Sequence, residues 1–322
     1  MCGIFGIFNY NNSLKIDSDK VKESATFMNY RGPDAYGQWG IENRIELAHC
    51  RLSIIDLNPE SNQPFISNCK NYVITFNGEI YNYLELKNEL EQLGISFRTS
   101  SDTEVLLNSY IVWGEDCVSK FNGDWAFCIY NIKEDIFFCS RDRFGVKPFN
   151  YSLIDGQLVF SSAIKCMLNY FPQLKVPNYN IISNFCRNSL GAQVEDTWFL
   201  NVKRLMPAHN LVIKNGIIKK YRYWEYPKTT FKDISFEDAK ERYKVLFFNA
   251  VKLRMRSDVP VGTTLSSGLD SSSIVSVLRK FYQEEHNTFT AVFKSDEFDN
   301  LEKSVYSKNI DIDEGVMVTK LS

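Results

Sequence analysis

The sequence lacks most of the features that would fix a function on their own. It has only three histidines, His49, His209 and His286, spaced far apart, which leaves little from which to build a histidine metal centre. None of its eight cysteines forms a C-x-x-C pair, which argues against a zinc ribbon and a thioredoxin-like redox site. No G-x-x-x-x-G-K-[ST] occurs, so a P-loop ATPase is excluded. No apolar run approaches the ~20 residues of a membrane-spanning helix, and no basic segment precedes the apolar start as a secretory leader would need. The net charge is −2, without the basic excess of a nucleic-acid binder. Neither nucleic acid nor membrane is therefore an expected partner. Cysteines inside apolar runs, such as Cys128 in DWAFCIY and Cys139 in IFFCS, read as buried, reduced thiols of a cytoplasmic protein.

What is present fits a globular chain of two domains. The 322 residues are 14% aromatic, enough for well-filled cores. GIFGIFNY, IELAHCRLSII, NYVITFNGEI, DWAFCIYN, DIFFCSRD and QLVFSS are short β-branched or aromatic runs that predict strands. NYLELKNELEQLG predicts a helix that ends at Gly94, and SDTEVLLNSYIVWG one that opens on a capping box, Ser101-x-x-Glu104, and closes at Gly114. Strands with helices grouped between them imply a layered α+β domain. The texture changes near NVKRLMPAHNLVIKNG, and YRYWEYPKTTFKDISF reads as a connector. Then come a helix from Phe236, a strand DVPVGTTL, a serine-rich loop SSGLDSSS, a helix SIVSVLRKFY and a strand TFTAVF. That order is the start of an α/β nucleotide fold.

The chemistry-bearing candidates each have an ordinary reading. Cys2 begins a strand and alone reads as packing. If Met1 is removed, its own α-amine, with a pKa of ~7.7–8.0, becomes an attached base. Gly3 is expected to leave room for a substrate. Arg51 is either a surface ion-pair residue or a bidentate grip for a small carboxylate. Asn77-Gly78 is either a hairpin turn or an oxyanion hole of one side-chain amide and one backbone N–H. Asp102 is either a helix-start carboxylate or the partner of a substrate ammonium. Together they describe a site for an α-amino acid.

MCGIFGIF, NYRGPDAYG, HCRLSIIDL, NQP, FNGEIYNY, SDTEVLL, DWAFCIYN and RDRFGVKP follow one another in order. They resemble the class II glutamine amidotransferase domain of glutamine-hydrolysing asparagine synthetases. The resemblance implies an N-terminal-nucleophile (αββα) glutaminase domain over residues 2–217. It further implies the start of an α/β adenine-nucleotide-binding (PP-loop) domain over 235–322, incomplete at its C-terminus. It makes Cys2 the nucleophile and Asn77 and Gly78 the oxyanion stabilisers. Arg51, Asn77, Gly78, Glu79 and Asp102 become glutamine contacts, with the backbone of Leu52, Ser53, Ile54 and Ile55 beside them. LSSGLDSSS resembles the family's SGGxDSS pyrophosphate loop, which assigns Thr264, Leu265, Ser266, Ser267, Gly268, Asp270, Ser271 and Ser272 to ATP or pyrophosphate. Mg²⁺ is implied, with Asp270 as its candidate ligand, and no prosthetic group.

The implied reaction hydrolyses glutamine to glutamate and ammonia. The ammonia amidates an aspartate adenylated by ATP, releasing AMP and pyrophosphate. Glutamine, aspartate and ATP are the implied partners, with a homodimer as the assembly to test. The chain departs from the family pattern at Ser267, where the loop has glycine, at Ala163, normally acidic, and at Ala208, normally glycine. Two other readings stand beside the synthetase: an amidotransferase acting on another carboxylate, and a fragment with glutaminase activity only, which alone makes no asparagine.

Overall fold

Strand β1 (Gly3–Asn9) is buried along its whole length, which requires a layer on each of its faces. Successive side chains of a strand point to opposite faces. Ile4 and Phe8 accordingly join one apolar cluster while Phe5 and Ile7 join another. Continuous apolar runs of this kind need cover on both faces, and each fully buried large side chain contributes about 1.5–3 kcal/mol.

The computed structural model describes residues 1–11, 14–188, 194–228, 233–266, 268–282 and 286–291. The chain divides into two compact units, Met1–Thr229 and Thr230–Ser322. In the first, one sheet contains β1, β2 (Ala35–Ile41), β3 (Ile45–Arg51), β8 (Asn150–Ile154), β9 (Gln157–Ser161) and β10 (Lys203–Arg204), in the order β10-β8-β9-β1-β3-β2. The other contains β4 (Phe65–Ile66), β5 (Tyr72–Ile80), β6 (Gly123–Asn131), β7 (Ile136–Arg141), β11 (His209–Lys214) and β12 (Ile217–Arg222), in the order β12-β11-β7-β6-β5-β4. Every pairing in both sheets is antiparallel.

Ile4, Phe8 and Leu47 of the first sheet meet Val73, Cys128 and Phe137 of the second in the central core. The first sheet's other face takes α1 (Ser18–Ala25) and α5 (Ile164–Tyr170) through Val21, Ala25, Cys166 and Met167. The second sheet's other face takes α2 (Tyr83–Gln92) and α3 (Asp102–Trp113) through Leu86, Leu90, Val105 and Leu106. The layers are thus α, β, β, α. Helix α4 (Cys117–Lys120) leads into β6, and α6 (Tyr179–Asn188) precedes β10.

Several expectations change. The strand expected over IELAHCRLSII stops at Arg51, and Leu52–Ile55 leave the ladder to run past β1. Asn77-Gly78 is no hairpin turn: it lies inside β5, opposite Ala126 and Trp125. The capping box is not reciprocal. Ser101 does cap α3, accepting the Thr103 N–H at 3.1 Å. Glu104 instead accepts the N–H groups of Arg98 and Thr99 and the Thr99 hydroxyl. The first unit runs beyond residue 217, because β12 begins there and pairs with β11 through Arg222.

In the second unit, α7 (Phe236–Arg254) and α8 (Leu269–Phe281) pack through Val251, Val277 and Leu278. Strands β13 (Thr263–Thr264) and β14 (Thr288–Phe289) pair in parallel, giving a β-α-β unit. The expected strand DVPVGTTL shrinks to two residues, because only those two find a partner in the described ladder. The helix begins at Leu269 rather than Ser273, so much of the expected serine-rich loop is its first turn. The end of TFTAVF and Ser267 lie outside the described residues.

Candidate active site

Where β1 starts, the two sheets are pinned together. His49 of β3 is fully buried, and its Nε2 lies 3.0 Å from the Phe76 carbonyl of β5. Burial pulls its pKa down to about 4, so it is a neutral donor to that carbonyl and no general base. Gln63 ties β5 to α3: its Oε1 accepts the Phe76 N–H at 2.6 Å and its Nε2 donates to Thr103 Oγ1 at 3.2 Å.

At this end lies a small pocket, with a cavity volume of about 30 Å³. Its wall includes Cys2, Arg51, Leu52, Ile54 and Ile55 on one side, and Gly78, Glu79 and Asp102 on the other. The Leu52 N–H points at Cys2 Sγ at 3.4 Å, and the thiol reaches the Leu52 carbonyl at 3.5 Å. Burial pushes the thiol pKa up, and the Leu52 N–H partly offsets that. With Met1 in place, burial also lowers the pKa of the Met1 α-amine. Arg31 Nε holds the Cys2 carbonyl at 3.0 Å.

Asn77 lies in sequence between the lining residues Phe76 and Gly78 but is not itself part of the pocket wall. Its side chain is fully buried, yet neither Oδ1 nor Nδ2 has a hydrogen-bond partner. An unpaired buried amide costs roughly 1–3 kcal/mol, so the arrangement is suited to a ligand oxygen. Gly78 has no room for a side chain: a Cβ there would collide with the Asp124 carbonyl and Trp125. Asp102, the first residue of α3, is fully buried and its pKa rises to about 7. Burial is the main cause and the nearby Glu79 adds to it, while the Ile80 N–H opposes it.

Three expected contacts look different in space. Arg51 lines the pocket, but its terminal nitrogens bond the Asn58 carbonyl at 3.0 Å, Asn62 Oδ1 at 2.8 Å, and the carbonyls of Ile55 and Asp56. A bidentate grip on a substrate carboxylate would have to draw those donors from the 55–62 loop. Ser53 does not line the pocket, and its N–H goes to Asp34 Oδ2 at 2.7 Å. Gly3 makes room for Met28 rather than for a substrate. Ser61, Gln63, Phe76 and Thr103 line the pocket without having been singled out, as does Ser101, which was read only as a helix cap. The NQP and SDTEVLL motifs carried three of them in plain view.

In the second unit the expected phosphate loop is tied to itself. Ser266 and Ser271 share a hydroxyl contact of 2.8 Å, and the Ser266 N–H donates to Ser271 Oγ at 3.1 Å. Leu265 follows β13, and its N–H and carbonyl are taken by Phe289 and Thr290. Gly268 caps α8 without a side-chain acceptor, so the first-turn N–H groups are left to backbone, water or a ligand. Asp270, Ser271 and Ser272 sit in that first turn.

An αββα fold whose first strand follows a half-buried cysteine, beside a cavity lined by a buried carboxylate, has the architecture of the N-terminal-nucleophile glutamine amidotransferases. Residues 1–224 match the glutamine amidotransferase domain family, and this chain belongs to it. Residues 242–311 match the asparagine synthase family.

The chain is 40% identical over 307 residues to a Methanocaldococcus jannaschii protein provisionally named asparagine synthetase 2 (glutamine-hydrolyzing), with 87% of this chain and 57% of that protein covered. It is 34% identical over 331 residues to Bacillus subtilis asparagine synthetase 3 (glutamine-hydrolyzing), covering 100% of this chain and 52% of the relative. It thus spans about half the length of the curated relatives it matches. Among solved structures, the glutamine phosphoribosylpyrophosphate amidotransferase of Bacillus subtilis shares the fold. The TM-score is 0.51 at 16% identity, covering 91% of this chain and 66% of that one.

Proposed function

We propose that the first unit hydrolyses glutamine, with Cys2 as nucleophile once Met1 has been removed. The observation that carries this reading is the grouping of the Cys2 thiol, Gly78 and the buried Asp102 around one pocket, with the unpaired Asn77 amide next to Gly78 in the chain. The freed α-amine of Cys2 takes the thiol proton, and the sulfur attacks the glutamine side-chain carbonyl carbon. Asn77 Nδ2 and the Gly78 N–H donate to the oxyanion. Collapse expels ammonia, the amine returning the proton, and leaves a thioester that water hydrolyses to glutamate. Asp102 and Glu79 face the substrate ammonium, and Arg51 its carboxylate.

The match to asparagine synthase and the names of the relatives support the further proposal that the ammonia amidates aspartate activated by ATP. The first turn of α8, with Thr264–Ser266 before it, would hold the pyrophosphate on backbone N–H groups and serine hydroxyls. Among the described residues no group of three or more His, Cys, Asp or Glu could hold a metal ion. Asp270 is a hard oxygen donor of the type Mg²⁺ takes, and would be one ligand of an ion carried in on the nucleotide phosphates. Bound there, the ion would neutralise phosphate charge. Eight free cysteines suit a reducing compartment such as the cytoplasm. Among the described residues no helix is long and apolar enough to cross a membrane.

The test is a glutaminase assay beside mass spectrometry of the intact N-terminus. Protein lacking Met1 should release ammonia from glutamine, and Cys2→Ala should not. Activity persisting in Cys2→Ala, or in a form that keeps Met1, would sink the assignment.

A further inference from the structure

We propose that Lys147 is a positioning residue of the thiol site, holding the Glu79 carboxylate on the pocket wall and neutralising its charge beside Cys2. This rests on the reading of Cys2 as nucleophile. Lys147 Nζ lies 2.9 Å from Glu79 Oε2, and the two side chains are only 7% and 15% exposed. A pair this far from water is tightly held, and removing one partner strands the other charge.

The lysine is aimed from a rigid loop. Asp142, itself buried, accepts the N–H groups of Phe144, Val146 and Lys147 at 2.9–3.0 Å. Arg141 closes the loop from the other side, donating to the carbonyls of Lys147 and Gly145 at 2.8 and 2.7 Å. With both its N–H and its carbonyl fixed, Lys147 extends to Glu79, the residue directly after the Gly78 N–H donor.

The charges around Cys2 explain why this matters. The Met1 amine and Arg31 stand on its own side, Cys50 and Arg51 on neighbouring β3, Glu79 on β5 and Asp102 on α3. Glu79 and Asp102 both oppose formation of the thiolate. Lys147 offsets the first of them, and it also fixes the carboxylate that would meet the substrate ammonium. The residue belongs to the RDRFGVKP motif, to which the sequence reading gave no role.

The decisive measurement is the pH dependence of Cys2 alkylation by iodoacetamide in the full chain, read on the N-terminal peptide, because it needs no glutamine turnover. Lys147→Met should slow alkylation at pH 7.5 by about tenfold, one unit of thiol pKa, and should raise the glutamine KM. Lys147→Arg keeps the charge and should stay within about twofold of the parent. The double variant Glu79→Gln/Lys147→Met removes both charges and should restore the alkylation profile while KM stays raised. That variant and Lys147→Arg carry the test if Lys147→Met does not fold. A parent-like alkylation profile in Lys147→Met, or an arginine variant no closer to the parent than methionine, overturns the proposal. If Cys2 is not the nucleophile, Cys2→Ala retains glutaminase activity, a result separate from the alkylation series.

Discussion

The backbone N–H of Ile80 donates to the buried carboxylate of Asp102 at 2.9 Å, tying the end of β5 to the first residue of α3. The Ile80 and Thr103 N–H groups and the Ser101 hydroxyl do not offset full burial and the nearby Glu79, so Asp102 titrates near pH 7 instead of 3.8. A substrate ammonium needs the ionised form. The expected glutaminase kcat/KM therefore falls about tenfold per unit as pH drops below 7, and this limb should vanish in Asp102→Asn, along with most of the activity. Stability has the opposite trend. The unfolded chain gives up this proton at the ordinary value, so the group's contribution to stability falls as pH rises from about 4 to about 7. Kinetics from pH 5 to 8 decide it, and a flat kcat/KM down to pH 5 is the outcome that fails.

Glu104 should matter more to the fold than the cap residue it was expected to partner. Its buried carboxylate gathers two N–H groups and a hydroxyl from Arg98 and Thr99, whereas Ser101 satisfies a single N–H. Hydrogen bonds to a charged group contribute about 1.5–3 kcal/mol, and losing a cap costs about 1 kcal/mol. In urea unfolding, Glu104→Ala should cost about 3 kcal/mol and Ser101→Ala about 1 kcal/mol. The reverse order would mean that the carboxylate's contacts are incidental.

Ala163 caps α5 in an extended conformation without a side-chain acceptor, at a position where the resemblance leads one to expect an acidic residue. Asp is among the best residues there and Ala among the worst, by about 1 kcal/mol. Ala163→Asp should raise Tm by about 2–4 °C for a unit of this size, and Ala163→Asn should give most of the same gain. An unchanged Tm in both would show that the first turn of α5 is already satisfied.

The sheets were legible wherever a strand is buried on both faces, as β1, β5, β6 and β7 are, because their apolar runs are continuous. Strand β2 was not: AYGQWGI holds two glycines, stands at a sheet edge, and is at most half-buried. The β11–β12 hairpin had its signal in view. Asn215 and Gly216 both have positive φ, and the Asn-Gly pair is flanked by apolar runs. The same dipeptide at 77–78 is extended, so the local rule alone could not separate a turn from a strand. The site residues were found by motif order, yet their partners were not, because the ties of Arg51 to the 55–62 loop and of Lys147 to Glu79 join segments that no local pattern relates.

Ala208 departs from the glycine expected there, and its backbone shows what that costs. Its φ is 60°, a left-handed conformation that costs a side-chain-bearing residue about 1–2 kcal/mol. It is held there because its N–H donates to the Asp142 carbonyl at 2.8 Å and its own carbonyl accepts the Tyr223 N–H at 2.9 Å. Replacing it with glycine relieves the strain but loses a buried methyl, about 0.8 kcal/mol, and loosens the unfolded chain by about 0.5–1 kcal/mol. Ala208→Gly should therefore leave stability within about 1 kcal/mol of the parent. Ala126→Gly is the control, since Ala126 is fully buried in β6 at ordinary strand geometry and has no strain to relieve. It should be the more damaging substitution by about 1–2 kcal/mol. Equal losses in the two variants, measured by urea unfolding, would show that Ala208 is unstrained.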